Sequence, residues 1–401
     1  MKRFLTAFWA VFCLLSLVSC GALPSAGPAL NSSASAPSSD SVSDISLPAP
    51  STPSPTVPPE EEEPADWERA KQMVTAMELE EKVGQLFFVR CPTENAAADV
   101  SQYHLGGYLL FGRDVEGKTA DDLIQTIASY QTAADIPLLI GVDEEGGTVA
   151  RVSDNPCLRA EKYLSPQQLY AAGGMEAITE DTRQKDLLLK SLGFNVNFAP
   201  VADVSTDPED FIYDRSFGGD AEATAAYAAE VVSQMRRDGM GSVLKHFPGY
   251  GNNGDTHTGI SIDSRSLQSF ETSDFLPFEA GITAGDGTGA VLVSHNVMEA
   301  VDNTLPASLS PEVHTLLREK LAFHGTVITD DLSMEATAAY APNETAAVLA
   351  LEAGNDMVLT TDYRGQIPQV TEAVRSGRLA ETVINTACIR VLLWKMKLGL
   401  L

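Results

Sequence analysis

From residue 66 onward, short runs that are apolar at nearly every position alternate with longer stretches whose apolar residues recur at helical spacing. The runs are 83–89, 106–112 (GGYLLFG), 137–142 (PLLIGV), 194–204 (FNVNFAPVADV), 242–245, 290–295 (AVLVSH), 326–329 (TVIT) and 357–360 (MVLT). A strand with one wet face alternates apolar and polar residues, whereas a run apolar on both faces belongs to a parallel strand covered by helices. Residues 221–238 (AEATAAYAAEVVSQMRRD) read as a helix stopped by Gly239, and 344–353 as another closed by Gly354. Eight strand–helix alternations within 66–401 predict an α/β fold, a (β/α)8 TIM-type barrel. A doubly wound open sheet is the alternative.

The polar residues gather where these runs end. Asp143-Glu144-Glu145-Gly146-Gly147 follows PLLIGV, and Asp203 ends the fourth run. Lys245-His246-Phe247-Pro248-Gly249 follows the fifth, Ser294-His295-Asn296 the sixth, and Asp330-Asp331-Leu332-Ser333-Met334 the seventh. In a barrel the carboxyl ends of all strands share one face, and that face carries the active site. Fragments far apart in sequence therefore converge.

Each fragment has its own chemistry. Two adjacent acids at 330 and 331 are costly to bury together, which suits either a cap for the next helix beside an acid facing the barrel mouth or two acids of the strand–helix turn. Asp143 with Arg151 is suited to clamping neighbouring hydroxyls of a polyol; a rim salt bridge or a Mg2+ or Ca2+ site remains open for the same acids. In KHFPGYGNNGDTHTG (245–259), Lys245 and His246 are consecutive, so only one points inward unless the strand bends. Further on, Asp255 stands two residues from His257, where a carboxylate orients an imidazole as a general acid or base. Zinc on His246, His257 and Asp255 would lack the short His–His spacing of zinc motifs.

The ends of the chain and its charge narrow the class. Residues 1–20 combine Lys2 and Arg3, an apolar core and small residues around Cys20, which reads as a lipoprotein signal peptide with Cys20 the lipidated residue. Residues 21–65 are rich in Ser, Pro and Ala and read as a disordered linker holding the domain, 66–401, away from a membrane. The expected location is the bacterial cell envelope, outside the cytoplasm. A net charge of −28 argues against a nucleic-acid partner. Cys91, Cys157 and Cys388 are widely spaced, which fits neither a disulfide framework nor a zinc site.

Four stretches, DEEGGTVARV, NFAPVADV, KHFPGYGNNGDTHTG and TDDLSM, resemble glycoside hydrolase family 3, in particular its single-domain β-N-acetylhexosaminidase branch. The resemblance runs from about Met73 to the C-terminus. It implies a barrel, no metal, no cofactor and a carbohydrate substrate, an N-acetylglucosaminide. It also implies Asp330 as nucleophile, His257 as general acid/base and Asp255 as its partner. Asp143, Arg151, Arg215 (in DRSFGG), Lys245 and His246 match the groups that hold the sugar ring. The implied reaction is retaining, through a covalent glycosyl-enzyme. Retaining enzymes generally use two carboxylates about 5 Å apart; this branch replaces one with an Asp–His pair.

Two departures stand out: Tyr250 replaces the second His of the family's KHFPGHG, and the step to Asp255 is one residue shorter. The family also holds β-glucosidases and β-xylosidases, whose acid is a carboxylate, usually from a second domain that is not expected here. A β-glucosidase is the alternative within the family, and a sugar-binding lipoprotein without catalysis is the distant one.

Overall fold

A computed structural model describes residues 65–256, 259–338, 340–341 and 346–401. The leader with Cys20, the linker up to residue 64, His257 and the start of the 344–353 helix lie outside the described residues.

The eight apolar runs all carry strands: β1 Phe87–Arg90, β2 Gly107–Leu110, β3 Leu139–Val142, β4 Val196–Asn197, β5 Gly241–Phe247, β6 Gly289–Val293, β7 Val327–Thr329 and β8 Val358–Thr360. They pair in parallel in the order β8-β1-β2-β3-β4-β5-β6-β7. A parallel bridge between Ile328 and Met357 joins β7 to β8 and closes the ring. The chain is therefore a (β/α)8 barrel, and the open-sheet alternative falls. Helices cover the outside, so both strand faces are dry and the runs are apolar throughout.

The inside of the ring is filled by large side chains. Phe88 and Phe198 meet edge to face at 5.1 Å. Gly141 faces them: a Cβ there would lie 2.7 Å from the Phe198 ring and 2.9 Å from that of Phe88. Glycine at this point lets two aromatic rings meet in the barrel centre, directly below Asp143.

Local signals account for most element ends. Ala221–Asp238 is a helix as expected, with the Asp220 side chain accepting from the Ala223 N–H at its start. Gly239, at φ 66°, ends it in the left-handed region. The run 83–89 differs from the expected strand. Its first part belongs to the helix Leu79–Gln85, opened by the Glu81 carboxylate accepting from the Glu78 N–H at 2.8 Å, and only Phe87 onward is strand. Val83 and Leu86 are buried all the same, so an apolar run reported burial there without reporting geometry. A further parallel pair, Ile262–Asp263 with Val297–Met298, lies outside the ring and has no signature in the sequence.

The last helix, Glu381–Lys397, brings a lysine into the core. Lys395 is fully buried and its Nζ donates to Gln85 Oε1 at 2.6 Å. Burial pushes its pKa down from 10.5 to about 7. Between those values the unfolded chain binds the proton and the folded chain does not, so this group adds stability as pH rises through the window. Thermal unfolding of the wild type and of Lys395→Met should therefore differ by an amount that shifts in favour of the wild type between pH 7 and pH 9. A difference that stays flat over that range contradicts the account. Cys91, Cys157 and Cys388 are all unpaired thiols, the first and last of them buried.

Candidate active site

A cavity of about 760 Å³ opens at the carboxyl ends of the strands. Asp143, Arg151, Arg215, Lys245, His246, Asp255 and Asp330 all line it. These residues span 143 to 330 in sequence and meet only because the ring closes. His257 lies outside the described residues.

The stretch 143–147 divides its work residue by residue. Asp143 reaches the cavity and accepts from Lys245 Nζ at 2.7 Å. Glu144 turns away and is fully buried. Its carboxylate accepts the backbone N–H groups of Arg151 at 2.9 Å and Val152 at 2.7 Å, and also binds the Ser153 hydroxyl. Asn197 on β4 receives the Glu144 N–H at 3.0 Å, which ties the turn to the barrel. Gly146 and Gly147, at φ 95° and 62°, adopt the positive values the turn requires. Arg151 is thereby carried back to the cavity wall.

Glu145 is the centre of the charged network. Lys245 Nζ lies 2.6 Å from its Oε1. Arg215 grips the same carboxylate with two bonds, Nε to Oε2 at 3.0 Å and a terminal nitrogen to Oε1 at 2.8 Å. Burial alone would push the Glu145 carboxyl up; the Arg215 and Lys245 charges outweigh it and hold it well below the usual carboxylate range. The acids of this stretch are thus taken up by cations and backbone amides, and the salt bridges at the barrel mouth run from Asp143 and Glu145 to Lys245 and Arg215. Asp143 and Arg151 do share the cavity wall as expected, but the partner of Asp143 is Lys245.

Lys245 and His246 both reach the cavity. The strand bends there: the register of β5 on β6 shifts between Leu244 and Phe247, and the Lys245–His246 peptide is cis. Asp203 holds the bend. Its Oδ2 accepts the His246 N–H at 3.0 Å and lies 2.7 Å from His246 Nδ1, and its Oδ1 accepts the Tyr250 N–H at 2.7 Å. The other ring nitrogen, Nε2, is 3.2 Å from Arg215. A guanidinium only donates, so Nε2 is the acceptor and Nδ1 carries the proton toward Asp203. The imidazole is therefore held at both ring nitrogens, which suits a clamp.

Asp330 follows β7 and lines the same cavity. Both adjacent acids line the cavity, so the expected division into a cap and a mouth residue holds only in their hydrogen bonds. Asp331 Oδ1 accepts the Ser333 N–H at 2.9 Å and caps the turn, and burial pushes its pKa up. Asp330 Oδ1 accepts the Asp331 N–H at 2.8 Å while the residue lines the cavity. His295, fully buried, sits 3.1 Å from the Asp331 carbonyl and 2.7 Å from the Ser308 hydroxyl, so the polar end of β6 braces this turn from behind.

Several contributors were missed from the sequence. Glu145 and Asp203 were quoted within their stretches but not assigned to the site. Arg90, at the end of β1, lines the cavity with its guanidinium 4.3 Å from the Phe111 ring centre, on which Arg151 also approaches at 5.9 Å. Arg265 braces the turn after β5 from outside. It binds Asp263 at 2.7 Å, Asp274 at 2.9 Å and the Gly249 carbonyl at 3.2 Å. A charged residue closing the fourth short strand run is the signal that would have found Asp203; nothing local marks Arg90 or Arg265.

A barrel whose mouth sets one carboxylate opposite a ring of hydrogen-bonding cations and acids is built to hold a polyhydroxylated ring, as glycoside hydrolases do. Comparison with known proteins makes this specific. Residues 78–393 match the glycosyl hydrolase family 3 N-terminal domain, and the chain belongs to that family. It is 31% identical over 323 residues to the β-hexosaminidase LpqI of Mycobacterium tuberculosis, covering 78% of this chain and 81% of that one. A β-hexosaminidase of Stenotrophomonas maltophilia is 33% identical over 304 residues, 74% of this chain and 86% of the relative. Among solved structures, a glycoside hydrolase family 3 β-N-acetylglucosaminidase from Paenibacillus superposes with a TM-score of 0.74 at 31% identity, over 81% of this chain and 63% of that one.

Proposed function

We propose that this glycoside hydrolase is an exo-acting, retaining β-N-acetylhexosaminidase that releases terminal N-acetylglucosamine from cell-wall muropeptides or chitooligosaccharides. The observation that carries the reading is one cavity lined by Asp330, Asp255 and the Asp143, Lys245, Arg215 and His246 that Glu145 ties together. The β-hexosaminidase names of the relatives support the choice of sugar.

The chemistry follows from charge placement. Asp330 attacks the anomeric carbon as the bond to the leaving oxygen breaks, and His257, oriented by Asp255, gives that oxygen its proton. The sugar is then an ester of Asp330. His257 next removes a proton from water, the water oxygen attacks the anomeric carbon, and Asp330 leaves as carboxylate. Two inversions give net retention. An imidazole with an ordinary pKa near 6.5 exchanges protons at neutral pH without the burial a carboxylic acid needs. Asp143, Arg151, Lys245 and His246 hold the hydroxyls, and binding energy from the ring orients the reacting carbon.

The reading extends to location: Cys20 carries the lipid, and 21–65 spans from membrane to barrel. No helix among the described residues is long and apolar enough to cross a membrane.

The purified domain should hydrolyse 4-nitrophenyl N-acetyl-β-glucosaminide at least about 100-fold faster in kcat/KM than the matching β-glucoside, because a site built to hydrogen-bond a substituent leaves its groups unpaired when that substituent is missing. Proton NMR of the first turnovers should show the β-anomer of N-acetylglucosamine. Equal rates on both glycosides favour the β-glucosidase reading, and α-anomer as the first product rules out retention.

A further inference from the structure

Tyr250 occupies an unusual position between the two halves of the site. It is buried, at 1% exposure, yet every polar atom it owns is used. Its N–H donates to Asp203 Oδ1 at 2.7 Å, the same carboxylate that fixes His246. Its carbonyl accepts the Asn253 backbone N–H at 3.0 Å and the Asn253 side-chain amide at 2.8 Å. Its hydroxyl lies 2.6 Å from Thr256 Oγ1. The ring stands edge-on to His246 at 5.1 Å and meets Phe211, on the cavity wall, at 5.6 Å. Thr256 is itself fully buried and adjoins Asp255, which lines the cavity.

A six-residue step separates Tyr250 from Thr256, and it contains Gly251, Asn252, Asn253 and Gly254. Such residues hold no conformation by themselves. Two anchors constrain the step. Asn253 Nδ2 reaches Asp263 Oδ2 at 2.6 Å at its middle, and the Tyr250–Thr256 hydrogen bond closes its far end onto its start. A hydrogen bond between two fully buried hydroxyls is costly to leave unmade, because either partner alone finds no water.

We propose that Tyr250 is a positioning residue for proton transfer: its hydroxyl, through Thr256, sets where Asp255 stands over the cavity, and so couples the sugar clamp at His246 to the acid–base step. The inference rests on the proposed function and deepens it. The phenol replaces a histidine at this point of the family motif. Burial and the nearby Asp330 charge push its pKa up, so it keeps its proton at every pH at which the enzyme works, and the bond does not titrate.

The test compares Tyr250→Phe, Thr256→Val and the double variant on two substrates. N,N′-diacetylchitobiose needs its leaving oxygen protonated, whereas N-acetyl-β-glucosaminyl fluoride does not. The quantity read is kcat/KM, which reports the steps up to formation of the glycosyl-enzyme. For Tyr250→Phe it should fall about 10- to 100-fold on the disaccharide, a part of the roughly 10²- to 10⁴-fold that general acid catalysis supplies. On the fluoride it should stay within about twofold, since that step draws nothing from the acid. Thr256→Val should show the same split, and the double variant should be no worse than either single one, because both remove one bond. Equal losses on both substrates, or none on either, overturn the inference. Additive losses overturn the Thr256 route. A wild type inactive on both substrates refutes the proposed function instead, so the two failures are distinct. Phe keeps the ring contacts with His246 and Phe211, and matched melting temperatures confirm that all variants are folded.

Discussion

Asp330→Asn is expected to lower kcat on 4-nitrophenyl N-acetyl-β-glucosaminide by roughly 10³-fold or more, because loss of the attacking group closes the covalent route. That factor corresponds to about 4 kcal/mol of transition-state stabilisation. An amide has nearly the shape of the carboxylate but cannot form the glycosyl ester. Its oxygen can still accept the Asp331 N–H that Asp330 Oδ1 now accepts at 2.8 Å, so the turn after β7 should survive. The loss should therefore be chemical, with little change in melting temperature. Asp331→Asn is the matched control: that carboxylate caps the turn through the Ser333 N–H, and its replacement should cost far less activity. Steady-state kinetics with a thermal melt on each variant decide the matter. Near wild-type kcat in Asp330→Asn would remove it from the reaction.

The second large effect is on stability and binding together. Glu145→Gln should destabilise the fold by about 3–5 kcal/mol, the usual penalty for leaving buried charge without its partner. Its side chain is 3% exposed, as is that of Lys245, and Arg215 is 17% exposed, so water does not replace the lost charge. Lys245 would keep Asp143, but Arg215 would be left facing a neutral amide and His246. The clamp that holds the sugar would then spread, and KM should rise with kcat less affected. The pH dependence gives an independent check. Glu145 has its folded pKa depressed below 4.5, so its stabilisation is present above that value and is lost as pH falls toward the folded pKa. Urea unfolding should show the wild type losing its advantage over Glu145→Gln below about pH 4.5. Adding Arg215→Met to Glu145→Gln should recover part of the lost stability if the cause is unpaired charge. Additive losses would point to packing instead.

Much of the architecture was legible because burial on both faces leaves a mark that needs no partner to be read. Each of the eight runs overlaps a strand, and polar residues that follow them do meet at one mouth. The run 83–89 misled because a buried helix turn and a buried strand look alike over seven residues. Within the site, most charged residues that face the cavity stood out, since a Lys, His or Asp at a strand end has no structural excuse; Arg90 did not. The residues that hold them did not. Asp203 acts on His246 and Tyr250 across more than forty positions, and Glu145 acts on Arg215 and Lys245 across seventy and one hundred. Such pairs exist only once the ring has closed. Tyr250 is the sharpest case: as a departure from a motif it looked like a question about the loop, and its four hydrogen-bonding contacts make it the join between clamp and loop.

The central claim is that Asp330 forms a covalent bond to the sugar, and trapping tests it most directly. The protein is incubated with 5-fluoro-N-acetylglucosaminyl fluoride, in which the ring fluorine slows both steps and the good leaving group restores the first. The intact protein should gain the mass of one 5-fluoro-N-acetylglucosaminyl group, and the labelled peptide should contain the TDDLSM stretch with the sugar on Asp330. A label on any other residue, or an enzyme that turns over the substrate without ever carrying the sugar, would contradict the account.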